Sequence, residues 1–520
     1  MRKDDLFNFN RKRGGYKMCS IFGVIALKTT DPKEVIELGQ IGANDLQHRG
    51  LEWVGVAFSG GNTLQVEKQS GLVASLFGNR NITGKMQEAS PQMMMFQTRF
   101  STQGTSTAIN AQPHYMRQRW GMLALGSNGD IPDYDTQRAR LEKARCRFIS
   151  RNDSEALLHH IILNAKDNPD QLHEGILSLM REVPASFSAW LATENSVYLF
   201  RDPFANRPLY YMRIGSYFVF ASEDCALHAI LVHRADQGHK DGTIEINQVL
   251  PGEIIRITMH GEIEYLAGVE PQEKLAMCTF ERVYFARPDG HVFGAPHNGT
   301  QRLFYKLLVR HSGDDRYMIE MLTEDIEEIG SFRFRLGKQL AREFPVEDAD
   351  CVISIPDSGN FAAQGFAAES GIPYQIGLVR IATVARTFMV PGREARMRQA
   401  ALKYRLMRGL FAKHRRIVVV DDSLVYGTTF EQLARMFMAA GAEEVHARLS
   451  CPPVTAACPY GIDMSSKGPL VAADMPIKQI REQLGVTSLQ YLSLEGMQKV
   501  LGAGAENFCT GCWTGEFPIT

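Results

Sequence analysis

Several things are missing from this 520-residue chain, and each absence closes off a class of protein. No apolar run approaches the ~18–20 residues that span a bilayer, so no membrane partner is expected. The basic N-terminal stretch MRKDDLFNFNRKRGGYK lacks the apolar core of a secretion signal, and Asp4 and Asp5 argue against a transit peptide. Neither sign of charge prevails: 57 Lys+Arg against 58 Asp+Glu give no reason to expect nucleic acid as a partner. Repeats, heptads and low-complexity tracts are missing too. Nine cysteines form an odd, scattered set with one close pair, Cys509 and Cys512. That pattern speaks for thiols, ligands or nucleophiles in a reducing cytoplasm rather than a disulfide framework. What is present, 44% hydrophobic and 22% charged residues, is ordinary for a globular protein. The length exceeds one typical core, so two large domains are expected.

The two halves differ in texture. Up to about residue 270, short apolar runs such as IFGVIAL, WVGVAFSGG, SVYLFRDPF and EIIRITMHGEIEYL alternate with Gly, Asn and Asp, which predicts stacked sheets. One helical stretch, SEALLHHIILNA, interrupts them, with Asp153 or Ser154 as its cap. Beyond the boundary at 258–278 the pattern becomes strand then helix: DCVISIP before FAAQGFAAESGIP, and RRIVVVDD before FEQLARMFMAAG. In the latter, Leu433, Met436, Phe437 and Ala440 share a face and Gly441 stops the helix. Strands alternating with helices predict a parallel sheet. The charged segment 310–330 reads as an insertion early in the second domain.

The most informative motif is VVVDDSLVYGTTF, Val418–Phe430. A buried strand ends in two acids, and a small-residue turn then enters a helix. Backbone N–H groups at such a turn cradle phosphate, helped by the hydroxyls of Thr428 and Thr429. Asp421 and Asp422 would repel phosphate directly, so they suit ribose hydroxyls or a bridging Mg²⁺. A solvated acidic turn is the plain alternative. The motif resembles the phosphoribosylpyrophosphate (PRPP) loop of the phosphoribosyltransferases. With ISIPDSGNFAAQGFA, GLVRIATVARTFM, CTFERVYFARPD, RLGKQLA, YGIDM and YLSLEGM in order, the chain resembles the glutamine PRPP amidotransferases from Cys19 to Phe517. The resemblance implies an α+β N-terminal nucleophile glutaminase domain, stacked antiparallel sheets between helices, at 19–268. An α/β type I phosphoribosyltransferase domain at 269–520 follows, with a cluster-binding C-terminal segment.

The same resemblance implies the site residues. Ser358, Asp421 and Asp422 become Mg²⁺ ligands, and Asp421, Asp422, Ser423, Gly427, Thr428, Thr429 and Lys403 bind PRPP. Cys278, Cys458, Cys509 and Cys512 sit on matching segments. Their spacing alone suits zinc or iron–sulfur; the resemblance favours a 4Fe–4S cluster of structural or oxygen-sensing role. Cys146, Cys225, Cys351 and Cys451 are read as packing. In the first half, Cys19 becomes the nucleophile, with its own α-amino group as base. Residues 1–18 are then a removed leader, or translation starts at Met18. Arg99 is implied to grip the glutamine carboxylate and Asp153 its ammonium, while Asn128 and Gly129 form the oxyanion hole. Taken singly each has a plainer reading, such as a turn for Asn128-Gly129 or a buried thiol for Cys19. The implied activity is amidophosphoribosyl transfer opening purine synthesis, in a cytoplasmic homo-oligomer under purine-nucleotide feedback.

Departures from the family pattern mark a divergent member. Tyr426 stands for an arginine in the PRPP loop, Thr383 for a channel tyrosine, Leu51 for a glutamine and Ser20 for a glycine. The basic stretch PGREARMRQAALKYR is either a solvated helix face or a lid whose Lys403 reaches pyrophosphate. Two other readings remain open: an amidotransferase for another acceptor, which the PRPP loop disfavours, and a non-catalytic PRPP- or nucleotide-sensing regulator.

Overall fold

The strand Ser20–Ala26 explains why the first half reads as unbroken apolar runs. Its residues alternate faces, yet all seven are buried. Phe22 and Val24 pack with Leu38 and Leu46 beneath the helix Pro32–Asp45, and Ile21 and Ile25 with Trp190 and Phe220 on the other side. A strand covered on both faces carries no polar alternation. Gly23 fits because the ring of Phe220 fills its place: a Cβ there would lie 2.2 Å from that ring. A computed structural model describes residues 18–99, 106–166, 168–259, 261–294, 301–312, 316–381, 403–462, 464 and 470–519.

This strand lies inside a nine-stranded antiparallel sheet that stacks on a six-stranded one, from Ile263–Leu266 at one edge to His114–Gln118 at the other. Helices Pro32–Asp45 and Cys225–Asp236 cover the outside of the first sheet. Helices Asp153–Asn164 and Leu172–Glu182 cover the second. The result is the predicted pair of stacked sheets between helices. The cap of Asp153–Asn164 differs from expectation: the Asn152 side chain accepts from Ser154 N–H. That frees Asp153 to be the first helical residue with its carboxylate turned inward.

The second half holds a four-stranded parallel sheet ordered Cys351–Ser354, Arg416–Asp421, Glu444–Leu449 and Ser488–Tyr491. Helices Asn360–Ser370 and Thr428–Ala439 follow its first two strands, and Leu433 and Phe437 of the latter are buried as expected. One feature bears on the expected partition. The strand Leu303–Ser312, most of it ahead of the segment 310–330 read as an insertion, and Arg316–Met321 within that segment pair antiparallel with each other and extend the edge of the first-half sheet through Thr243–Gln248. An open edge offers unpaired backbone groups, and the nearest free β segment satisfies them whatever its place in the sequence. One apolar core runs on across the junction, from Phe22 through Phe280 to Val420 and Trp513, so the halves pack as one body.

Candidate active site

Cys19 is buried at the start of its strand, and its carbonyl accepts from Arg49 Nε at 3.1 Å. Arg49 comes from the turn Gln47–Arg49 that follows the first helix. Its guanidinium pairs with Glu223 and, at 2.7 Å, with Glu281, all three without solvent exposure. Glu281 lies beyond the expected domain boundary and also meets Arg207 at 3.4 Å. Arg207 in turn donates to the Tyr460 carbonyl at 2.6 Å. Two arginines thus share two carboxylates in the dry junction, an arrangement whose desolvation cost demands this mutual pairing. Burial alone would raise Glu223, yet His48 and Arg49 hold it far below the usual carboxylate range.

Around Cys19 the first-half candidates converge. Thr98 is the register partner of Ser20, which brings Arg99, at the end of the adjacent strand Met93–Arg99, level with Cys19. Burial lowers the Arg99 pKa, and Cys19, Glu52 and Asp153 oppose it, so all three lie within its electrostatic reach. Burial pushes Asp153 up to about 6, with Arg99 pulling it down. Asn128 and Gly129 end the strand Gly121–Asp130, and Asn128 Nδ2 has no hydrogen-bond partner among the described residues. Gly129 has φ +152°, and a Cβ on it would lie 1.8 Å from the Ser186 carbonyl oxygen. Gly461, from the second half, comes so close that its own Cβ would be 2.9 Å from the Gly129 carbonyl.

The second-half candidates line a cavity of about 710 Å³. Its wall includes Ser358, Lys403, Asp421, Asp422, Thr428 and Thr429, and also His48 and Arg49 from the first half. Gly427, at φ +73°, turns the chain into the helix Thr428–Ala439, which aims its N-terminal N–H groups at this wall. Burial and mutual repulsion push Asp421 well above the ordinary carboxylate value; burial raises Asp422, which Ser358, Ser423 and the Arg333 charge pull back. Ser423 Oγ donates to Asp422 at 2.5 Å. The Tyr426 hydroxyl donates to the Met464 carbonyl at 2.5 Å instead of supplying a cation. Thr383 and the basic stretch as far as residue 402 lie outside the described residues; Lys403 is buried.

The four cysteines meet where both halves touch. Met277–Cys278 pairs in parallel with Phe508–Cys509, setting Cys278 beside Cys509. Cys512 donates to the Cys458 sulfur; that bond first, and Arg207 with nearby backbone N–H groups, bring Cys458 down to about 6 against its burial. Burial pushes Cys278 and Cys509 up to about 12. No three of these sulfurs lie within 4.8 Å of one another among the described residues. Of the remaining cysteines, Cys225, Cys351 and Cys451 are buried and Cys146 is partly so.

Comparison with known proteins bears on this arrangement. A family model described as a glutamine amidotransferase domain matches residues 97–229. An amidophosphoribosyltransferase of Synechocystis is 35% identical over 507 residues, 96% of this chain and 91% of that protein. One from Methanocaldococcus jannaschii is 34% identical, covering 96% of this chain and 98% of its own. The chain belongs to the amidophosphoribosyltransferase family. A solved glutamine PRPP amidotransferase from B. subtilis, complexed with ADP and GMP, shares this fold at a TM-score of 0.78 and 29% identity, over 96% of this chain and 98% of its own.

Four buried charged residues lie outside the candidates the sequence points to: Glu223, Arg207, Glu281 and Arg333. Burial lowers Arg333 to about 10, while Asp422 opposes. Its guanidinium donates to the carbonyls of Arg282 and Ala286, each at 2.9 Å. The available signal was a charge set inside an otherwise apolar run, which is worth its burial only beside a partner.

Proposed function

We propose that this chain converts PRPP and glutamine to 5-phosphoribosylamine, glutamate and pyrophosphate, the opening step of purine synthesis. The observation that carries the reading is the shared cavity: its wall joins the Asp421–Thr429 turn to His48 and Arg49, and Arg49 is hydrogen-bonded to the Cys19 carbonyl. Release of residues 1–18 frees the Cys19 α-amino group, which takes the thiol proton as sulfur attacks the glutamine amide carbon. Arg99 and Asp153 hold the α-carboxylate and α-ammonium. The oxyanion accepts from Asn128 Nδ2 and the Gly129 N–H. The C–N bond breaks, ammonia leaves, and water hydrolyses the thioester to glutamate. Inside the protein, ammonia reaches the cavity and attacks the anomeric carbon of PRPP as the C–O bond to pyrophosphate breaks. The helix N-terminus, Thr428, Thr429 and Lys403 hold the phosphates, and Asp421 and Asp422 hold the ribose side.

Ser358, Asp421 and Asp422 offer the hard oxygens that Mg²⁺ takes, and the ion would offset the charge of the departing pyrophosphate. Four thiols at the junction suit a 4Fe–4S cluster. A single zinc needs sulfurs about 3.8 Å apart, from Zn–S bonds near 2.3 Å, whereas an iron–sulfur cube spreads them over separate corners. Iron and sulfide in protein purified without oxygen test that assignment. The nucleotides on the B. subtilis relative support purine-nucleotide feedback here. A homo-oligomer in the cytoplasm, with cysteines outside disulfides, completes the reading. Purified protein given glutamine, PRPP and Mg²⁺ releases glutamate and pyrophosphate together. Glutamate release indifferent to PRPP, without pyrophosphate, overturns the proposal. A PRPP-sensing regulator is the second reading, favoured by Tyr426 in place of a cation, and the same assay separates the two.

A further inference from the structure

Four side chains used by neither site meet where the inserted hairpin joins the first half. Asp224 and His228 stand one turn apart at the start of the helix Cys225–Asp236, which puts them on one face. His291 comes from the loop after the π turn Glu281–Phe285, and Tyr305 from the hairpin strand Leu303–Ser312. The Asp224 carboxylate accepts from His291 Nδ1 at 2.8 Å, from His291 N–H at 3.0 Å and from Tyr305 O–H at 2.6 Å. The Tyr305 oxygen is also 2.7 Å from His228 Nε2. One donor atom each from Asp224, His228 and His291 lies within 4.8 Å of the others. Asp224 has no solvent exposure, and among the described residues no Lys or Arg side chain is bonded to it. Its one ion pair among the described residues is with His291, at 2.8 Å, and a metal ion held by the same donors would supply the opposing charge in its place.

We propose that Asp224, His228 and His291 form a site for one divalent transition-metal ion of the zinc class, with the Tyr305 hydroxyl beside it. Two imidazoles and a carboxylate are the donor set that zinc takes, whereas Mg²⁺ and Ca²⁺ favour oxygen throughout. Two segments far apart in sequence supply the donors, with Tyr305 beside them from a third, so the ion acts as a staple. It fastens the 287–294 loop to the helix that begins just after Glu223, the partner of Arg49, while Tyr305 ties the hairpin to the same carboxylate. Its role is structural, since buried side chains already occupy the space around it.

The test compares the full-length protein with His228→Gln, whose amide keeps a hydrogen bond to Tyr305 and so preserves the fold, checked by circular dichroism. Metal content per chain is measured on both, with iron at the cysteines as internal reference. Each is then stripped with a chelator and titrated with ZnCl₂ while Tm is followed. His228→Gln is expected to carry about one equivalent less metal and to lose the zinc-dependent rise in Tm. Co²⁺ in the unaltered protein gives d–d absorption without thiolate charge transfer, and the variant lacks it. Equal metal content and an equal zinc response in the two proteins overturn the proposal and leave a hydrogen-bonded junction.

Discussion

The two candidate centres are built by opposite means. In the first half Cys19, Arg99, Asn128 and Asp153 are all buried, on strand ends and a helix start inside a sandwich closed on both sides. In the second half the working groups stand on turns after parallel strands, around an open cavity. A buried centre is rigid, at the cost of desolvating its charges; an open one gains access and relies on backbone N–H groups and ligand charge. The Arg49–Glu281–Arg207 pairs, between the two, tie the rigid centre to the open one.

Variants can break this comparison, the largest effect first. Cys19→Ala should lower glutamine-dependent pyrophosphate release by about 10³-fold or more while free ammonia at alkaline pH still supports it. Loss of both would deny the separation of centres. Asp422→Asn should cost about 10²–10³-fold with either nitrogen source and leave basal glutaminase intact. Pyrophosphate release measured with each source distinguishes these outcomes. Glu281→Gln leaves the buried Arg207 without a carboxylate and Arg49 with Glu223 alone, and denaturant unfolding should show about 3–5 kcal/mol less stability. A loss below about 1 kcal/mol would mean that the junction does not depend on this network.

Smaller effects sharpen the contrast. With Asp153 pushed up to about 6 by burial, kcat/KM for glutamine should fall as pH drops below about 6, roughly tenfold per unit. The protonated carboxyl cannot hold an ammonium, whereas kcat/KM for ammonia bypasses this group. The upward shift has the opposite sign for stability: the contribution of Asp153 is present at low pH and is lost as pH rises through about 6. Smallest of all, Tyr426→Arg should restore a cation near the PRPP phosphates and lower KM for PRPP by about fivefold, or about 1 kcal/mol. An unchanged KM in steady-state assays would detach Tyr426 from phosphate binding.

The second centre was the more legible because its chemistry is local. Strand, paired acids, glycine at positive φ and helix N-terminus all fall within Val418–Phe430, and each element does there what its residue types dictate. The first centre was legible only as a family pattern, since Arg99, Asn128 and Asp153 belong to separate strands and a helix that meet in space. Details set by competition were misread. Asn152, one residue earlier, outcompeted Asp153 and Ser154 as cap, because its side chain reaches Ser154 N–H while Asp153 faces Arg99. The 303–321 hairpin joined the first sheet because hydrogen bonding at a sheet edge ignores domain order in sequence.

Residue types and short-range spacing therefore determined the strand-rich first half, the alternating strands and helices of the second half and the Asp421–Thr429 turn, because each element follows from residues a few positions apart. Only tertiary structure decided that Glu281 and Arg207 pair with Arg49, that Gly461 touches Gly129, and that Asp224, His228 and His291 converge. Those meetings are long-range: each partner's burial is tolerable only once the other has arrived, so neither can be read from its own surroundings.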